Sequence, residues 1–263
     1  SENENFGFYV NDSYESVTDI IISNNGDVGL VRKGYGVSTY SNVIVENNMG
    51  GGIYQSQGRR KYENFKIVNN YDSHRGAGIH INHTGFATFN RVTVVNNTSE
   101  KGAAVYLSQY VNQPHNSPKI HIVNSIIRDN HQNQGIESGY FEEPIQSMYA
   151  GTVSIANSNI EGGQEAVNLM IGDGETAGGT PCGSGFGCEC CTGILNWGSG
   201  NIDQDPLFSN VNNGDYTLQS GSPCIDAGTD LWLVDGSWGD ARYENSSQVS
   251  SNWYEENAGD TLS

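Results

Sequence analysis

The chain has few basic residues, no long apolar run and no sustained helical periodicity. Lysine and arginine together number 12 against 30 aspartates and glutamates, which gives a net charge of −18. So little positive charge argues against a nucleic-acid partner, because the phosphates of nucleic acids require basic patches. No apolar run approaches the roughly 20 residues of a membrane-spanning helix, so the sequence predicts no membrane span. The missing helical period points away from helical folds.

What the chain does have is a short sequence motif that recurs. Each copy is an alternating apolar run that ends in two asparagines, and the copies read TDIIISNN at 18–25, SNVIVENN at 41–48, ENFKIVNN at 63–70 and NRVTVVNN at 90–97. The first asparagines of successive pairs lie 23, 22 and 27 residues apart. Self-similarity at such a period is the signature of a solenoid.

The repeat is predicted to consist of strands. Its apolar residues alternate with period two, which places them on one face of a strand. The asparagines and glycines between the runs indicate tight corners, because both residues tolerate left-handed backbone. We therefore predict an all-β fold, a single-stranded right-handed parallel β-helix, which is a type of solenoid with strands about 4.8 Å apart. The residues expected inside it are Ile20, Val43, Phe65, Ile67, Val92 and Val94.

Equivalent residues of successive coils lie above one another in such a fold. We predict that the first asparagine of each pair forms a ladder of stacked amides, with a structural role. The later segments VNSIIRDN at 123–130 and ANSNIEGG at 156–163 align residue for residue and are expected to stack in the same way. The predicted ladder consists of Asn24, Asn47, Asn69 and Asn96.

A second phrase contains ring-bearing residues. It reads GGGIY at 50–54, GAGIHI at 76–81 and GAAVYL at 102–107. Strand alternation directs its aliphatic residues to one face and its rings to the other, so the rings should stack along the solenoid. An exposed row of rings could pack on sugar faces or on another protein, and simple stacking that stabilises the sheet is the alternative. The candidate carbohydrate- or partner-binding residues are Tyr54, His80 and Tyr106.

One charged loop, YDSHRG at 71–76, brings Asp72, His74 and Arg75 close together in sequence. Lys101 precedes a glycine as Arg75 does, so the two cations are expected to stack. Polysaccharide hydrolysis needs paired carboxylates for acid and base chemistry. Because short charged loops are ordinary surface, no catalytic residue is assigned. No cofactor is expected, although the many carboxylates leave calcium open as a ligand.

Five cysteines lie in two phrases, PCGSGFGCECCTG and SPCIDAG. In a secreted chain, close cysteines in a Gly-rich segment indicate disulfides, because such a segment has no core of its own. A metal site and free thiols are the alternatives. The odd number leaves one thiol free or bonded to another chain. The disulfide candidates are Cys182, Cys188, Cys190, Cys191 and Cys224.

Five Asn-x-Ser/Thr sequons could accept glycans in a suitable host. They begin at Asn11, Asn82, Asn96, Asn97 and Asn245. The remaining histidines have no metal-ligand spacing, so they are expected to be surface or loop residues and no metal site is predicted. These histidines are His83, His115, His121 and His131.

Near the C-terminus stands the phrase GNIDQDPLFSNVNNGDYTLQSGSPCIDAG at 200–228. Together with the Asn-Ser-x-Ile segments at 124–127 and 157–160, it resembles the bacterial right-handed parallel β-helix repeat proteins of the pectate-lyase-like superfamily. More narrowly, the chain is similar to secreted and surface proteins that end in a choice-of-anchor module. The resemblance covers about residues 18–228 and implies a secreted, extracellular or cell-surface location.

The resemblance also divides the chain. It implies a parallel β-helix with anchor-type final coils over 1–228 and a C-terminal tail at 229–263 that acts as a cap or an interaction segment. That tail is polar, bears tryptophans and departs from the ending of the family. The hydrolases of the superfamily carry Asn-Thr-Asp, Asp-Asp and Gly-His-Gly motifs, and the sequence contains none of the three.

Two function classes remain. The first is a non-enzymatic extracellular structural or adhesive β-helix protein, such as a surface-layer component, an adhesin or a filament subunit. Its partners would be copies of itself or a cell-surface matrix. The second is a secreted polysaccharide lyase or glycoside hydrolase that acts on acidic polysaccharide. The missing catalytic motifs favour the first class, although this preference rests partly on analogy between folds.

Overall fold

In a computed structural model, the chain is described over residues 6–11, 14–108, 118–132, 145–147, 151–169 and 194–228. These residues form an all-β fold whose strands are mostly parallel. Two short 3-10 helices, Gly163–Ala166 and Val211–Asn213, are present, and the described ranges contain no α-helix. Accordingly, no helix in these ranges is long and apolar enough to cross a membrane.

Sheet A contains seven parallel strands that follow one another in chain order. They are β1 (Phe8–Asn11), β3 (Leu30–Lys33), β5 (Ile53–Ser56), β8 (Ile79–Asn82), β11 (Val105–Ser108), β15 (Ile145–Ser147) and β18 (Val167–Asn168).

Sheet B contains nine parallel strands, seven of which again follow chain order. These seven are β2 (Glu15–Ser23), β4 (Val37–Glu46), β6 (Arg59–Val68), β9 (Phe86–Val95), β12 (Lys119–Val123), β16 (Thr152–Ala156) and β19 (Ile194–Trp197). The other two, β13 (Ile126–Arg128) and β17 (Asn159–Ile160), pair with each other, and β13 also pairs with β9.

Two smaller sheets complete the described fold. Sheet C consists of β7 (Tyr71–Arg75), β10 (Thr98–Lys101) and β14 (His131–Gln132), in that order and parallel. The last sheet is an antiparallel hairpin of β20 (Phe208–Asn210) and β21 (Asp215–Leu218). This hairpin lies inside the segment predicted to form the final coils, and it adds no parallel strand to sheets A, B or C.

Within sheets A, B and C, strands pair with the equivalent strands of neighbouring repeats. For example, β5, β6 and β7 follow one another along the chain, and each belongs to a different sheet. Each pairs with its counterpart among β8, β9 and β10. The repeats are therefore stacked through three parallel sheets, an arrangement that is compatible with a parallel β-helix.

The alternation of apolar residues predicted the core correctly. Five of the six residues expected inside are buried, and the sixth, Ile20, is partly buried on the first strand of sheet B and packs against the same core. Aromatic rings of three successive strands stack on one another inside the core. The Tyr62 ring lies between those of Tyr40 and Phe89, at centroid distances of 5.4 Å and 4.6 Å. The five buried residues are Val43, Phe65, Ile67, Val92 and Val94.

The predicted asparagine ladder exists, but its position was wrong by one residue. The first asparagine of each pair takes left-handed backbone, with φ between 56° and 57°, and forms the corner itself. The second asparagine points inward and forms the ladder, in which each side-chain amide donates to the next side-chain oxygen at 2.7–2.9 Å. The ladder residues are Asn25, Asn48, Asn70, Asn97 and Asn130.

The alignment of the two later segments is confirmed. Ile127 pairs with Ile160, and the backbone N–H of Ser125 donates to Oγ of Ser158 at 3.2 Å. Asn124 and Asn157 both adopt left-handed backbone, with φ of 49° and 48°. The same repeat therefore continues in this part of the chain, with Ser125 at the position that Val92 occupies one repeat earlier.

The interior of the first repeats contains two buried arginines beside the apolar core. The buried guanidinium of Arg32 lies 3.3 Å from the Glu15 carboxylate, which also accepts a hydrogen bond from the Tyr40 hydroxyl. The buried guanidinium of Arg60 donates to the carbonyl oxygens of Gly34 and Gly36. Burial lowers the pKa of Arg60, since the interior disfavours a charged side chain.

A candidate binding surface

The predicted ring stack is present on the outer face of sheet A. The strand register places Tyr54 beside His80 and His80 beside Tyr106. The rings meet edge to face, with centroids 5.1 Å apart for the first pair and 5.4 Å apart for the second. Edge-to-face contacts of this kind are favourable because a positive ring edge meets a negative ring face.

The ring row is less exposed than the sequence suggested. Tyr106 is only 2% exposed, whereas Tyr54 and His80 are half-buried. The Tyr54 hydroxyl accepts a hydrogen bond from the Asn82 side-chain amide at 3.1 Å. Stacking within the sheet therefore uses most of the ring surface, and binding by this row stays a prediction that depends on Tyr54 and His80.

His80 is a neutral ring at physiological pH. Burial lowers its pKa to about 3, and the nearby positive charge of Arg75 adds to the effect. Its Nε2 lies 2.7 Å from Oγ of Ser108, one strand further along the stack. The imidazole therefore serves as an aromatic and hydrogen-bonding group rather than as a cation.

The backbone conformation at position 76, at the corner before the ring row, requires glycine. Gly76 has a φ of +68°, a conformation that L side chains rarely adopt. A Cβ at this position would lie 2.8 Å from the Cβ of His80, so any side chain would also collide with the ring row. The Gly-x-x phrase that repeats in the sequence thus marks the corner that leads into sheet A.

Two cations stack beside the rings, as expected. Arg75 on β7 and Lys101 on β10 are register partners in sheet C, and both side chains are exposed. The guanidinium of Arg75 lies over the Tyr106 ring, 5.6 Å from its centroid. The ring row and the cation pair are therefore parts of one continuous surface.

The segment expected to be a charged loop is strand β7, whose pairing with β10 is irregular, and the Asp72 carboxylate is held by the backbone of this segment. Its Oδ1 accepts the backbone N–H groups of His74 at 2.7 Å and of Arg75 at 2.9 Å. The His74 ring contacts a hydroxyl, with Nδ1 2.7 Å from Oγ of Ser73. This is the arrangement of an Asx turn, in which a side chain stabilises a backbone corner.

A second row of rings and cations, which the sequence reasoning missed, lies on the outer face of sheet B. The Arg59 guanidinium lies 5.7 Å from the Phe86 ring, and the Phe86 ring contacts the His121 ring edge to face at 5.1 Å. His121 was expected at the surface, but it is buried, and burial together with Lys119 lowers its pKa to about 4. Arg59, Phe86 and Lys119 are register partners, so the repeat spacing was a usable signal.

The metal, disulfide and glycan predictions have different outcomes. In the ranges that the structure describes, no three His, Cys, Asp or Glu side chains are grouped so as to hold a metal ion. Cys224 accepts a hydrogen bond from the Asn159 amide at 3.1 Å and is unpaired among the described residues. The other four cysteines lie outside those residues, so the disulfides stay a prediction. They are Cys182, Cys188, Cys190 and Cys191.

One sequon is incompatible with a glycan in this fold. Asn97 is fully buried, and its side-chain nitrogen donates to Oδ1 of Asn130 and to two backbone carbonyls. Asn11 is exposed, while Asn82 and Asn96 are half-buried. Glycosylation at these three sites stays a prediction. Asn245 lies outside the described residues.

Comparisons with protein-family models, with curated proteins and with solved structures find no match to this chain. The functional interpretation therefore depends on the chain's own geometry.

Proposed function

We propose that the chain is a right-handed parallel β-helix with a non-enzymatic role outside the cell, as a structural or adhesive component of a surface. The observation that carries the proposal is the asparagine ladder, which joins five repeats through side chains that are buried in all but the first. Stacked amides of this kind make a rigid rod. Such a rod suits a surface-layer component, an adhesin or a filament subunit.

The charged strand β7 beside the ring row supports a non-catalytic role. Asp72, the carboxylate nearest to His74 and Arg75 in sequence, uses one oxygen to accept two backbone N–H groups. Its role in this geometry is to shape the turn.

The alternative is a secreted lyase or glycoside hydrolase that acts on acidic polysaccharide. The observation that favours it is the position of Arg75, the register partner of Lys101, over the Tyr106 ring, which contacts the half-buried His80 ring. Cations beside aromatic rings suit a sugar that carries a carboxylate. On this surface an adhesive protein would bind the same polymer without cleaving it.

An assay of binding and cleavage distinguishes the two functions. The full chain is incubated with polygalacturonate, with alginate and with neutral dextran, and bound protein, new reducing ends and unsaturated products are measured. We expect no products, and any binding to the acidic polymers should weaken in Arg75→Ala. Product release that is lost in Asp72→Asn would overturn the non-enzymatic role and favour the alternative.

A further inference from the structure

Large apolar side chains are exposed at the end of the stack that β1 and β2 form. Tyr14 is 80% exposed and Ile21 is 66% exposed, and Tyr9 on β1 is also exposed. In the described part of the chain, β1 and β2 are the terminal strands of sheets A and B, so no strand pairs with their outer edges. Exposed edges of this kind are templates for pairing with another chain.

The opposite end of the stack presents further members of the same side-chain columns. One interior column begins at Val17 and ends at Trp197, and both of these terminal residues are only partly buried. In an outward column of the same sheet, Ile194 on β19 is 56% exposed. At the other end this column reaches Tyr14. The strand register connects Ile194 to Val37, the residue before Ser38, and Tyr14 is the residue before Glu15, the register partner of Ser38. The interior column runs through Val17, Tyr40, Tyr62, Phe89, Ile122, Ile155 and Trp197.

We propose that a second copy of this chain docks on the β2 end, so that β19 of one copy pairs in parallel with β2 of the next. The proposal rests on the structural role proposed above and names its partner. The two ends carry successive members of the same columns, so the register that joins repeats within a chain also joins two copies. Trp197 then covers Val17 of the next copy, and Ile194 contacts its Tyr14.

The geometry of this contact determines the kind of assembly. The two surfaces differ, since one is the β19 end and the other is the β2 end. When two copies associate, the pair therefore keeps one free surface of each kind. Contacts of this head-to-tail type build open filaments rather than closed pairs. The net charge of −18 makes copies repel one another. Added salt screens this repulsion and strengthens association.

Sedimentation velocity of the full chain, over a range of protein and salt concentrations, tests the proposal. We expect larger species as either concentration rises. Tyr14→Lys and Ile194→Asp should each weaken association about tenfold or more, because a charge replaces an apolar contact at an edge. Both positions are exposed, and circular dichroism confirms that each variant folds. The matched control is Met49→Asp, since Met49 is also exposed but lies at a turn in the second repeat.

Mixing the two variants tests the register itself. An equimolar mixture of Tyr14→Lys and Ile194→Asp should regain association, because Ile194 of the first variant meets the unchanged Tyr14 of the second, and at alternate junctions Lys at position 14 faces Asp at position 194. A wild-type chain that stays monomeric at high protein and salt concentrations would overturn the proposal. So would single variants that associate normally, a Met49→Asp variant that is equally weakened, or a mixture that does not recover. A monomer that binds polymer without cleaving it would leave the adhesive role intact.

Discussion

The side-chain amide of Asn48 donates to Oδ1 of Asn70 at 2.9 Å, and both side chains are buried. The same oxygen accepts the backbone N–H of Asn48 at 3.1 Å. Each rung thus joins two repeats through two hydrogen bonds on one oxygen. Asn70 repeats the pattern with Asn97, so the ladder satisfies polar groups that have no access to water.

Replacing one rung should therefore be costly. Asn48→Ala removes the acceptor of two hydrogen bonds from Asn25 and the side-chain donor to Asn70 and to the Ile22 carbonyl oxygen, at a fully buried position. We expect the free energy of unfolding to fall by about 3 kcal/mol. Chemical denaturation followed by circular dichroism measures this change.

The control for this variant is the neighbouring residue. Asn47 is exposed and has a φ of 57°, a conformation that glycine adopts without strain. Asn47→Gly should change the free energy of unfolding by less than about 0.5 kcal/mol. Equal effects at positions 47 and 48 would contradict the assignment of the ladder to the second asparagine.

The sequence could not decide which asparagine of a pair faces inward. Both members have the same preference for corners, and a shift of one residue moves a side chain from one face to the other. The repeat period and the alternation of apolar residues, by contrast, reflect which side chains are buried, so they can be recognised in the sequence. They located Val43 and Phe65 in the core and placed Tyr54 beside His80.

The sequence also did not indicate how far the surface rings are buried. Tyr106 stands in the same phrase as Tyr54, yet its ring is almost fully buried. Exposure of an outward-facing side chain depends on what packs over the sheet from distant parts of the chain. The hairpin of β20 and β21 is another example, because its contacts with Val68 and Val95 join residues far apart in sequence.

The buried histidine on sheet B should make stability depend on pH. The pKa of His121 is lowered to about 4, whereas an unfolded histidine has a pKa of about 6.5. Between these values the unfolded chain binds a proton that the folded chain does not. Stability should therefore fall as pH drops from 6.5 towards 4, with a limiting slope of about 1.4 kcal/mol per pH unit.

Denaturation at pH 7.5, 6 and 5 tests this expectation. His121→Gln should flatten the dependence on pH, whatever it does to stability at pH 7.5. His80 contributes in the same direction, since its pKa is lowered to about 3, and it remains in both proteins. His131→Gln is the matched control, because the side chain of His131 is exposed. An unchanged slope in His121→Gln would refute the assignment.

Two acidic residues that pair with cations, one with a buried partner and one with a partly exposed partner, should differ in their contributions to stability. Glu15 lies 3.3 Å from the buried Arg32 and also accepts the Tyr40 hydroxyl, so Glu15→Ala leaves a buried guanidinium without its counter-charge. We expect a loss of about 3 kcal/mol. Glu46 lies 3.8 Å from Lys66 in a partly exposed pair, and Glu46→Ala should cost less than about 1 kcal/mol. Thermal or chemical denaturation compares the two variants, and a larger loss at position 46 would contradict this ranking.

The C-terminal hairpin should open without unfolding the stacked sheets. Tyr216 packs on Val68 and Val95, and its hydroxyl accepts the Asn96 side-chain amide at 3.3 Å. The Phe208 ring contacts it edge to face at 5.4 Å. Tyr216→Ala removes these contacts at a local cost of about 3 kcal/mol, which lies within the range for large-to-small substitutions.

Hydrogen exchange followed by mass spectrometry localises the effect of this substitution. In Tyr216→Ala, the amides of 208–218 should exchange faster, whereas β4, β6 and β9 keep their protection because their pairing does not involve the hairpin. Thr217→Ala is the matched control, because its side chain is exposed on the same strand. Faster exchange throughout sheet B would mean that the hairpin and the stack unfold as one unit. Unchanged exchange in 208–218 would mean that Tyr216 does not hold the hairpin.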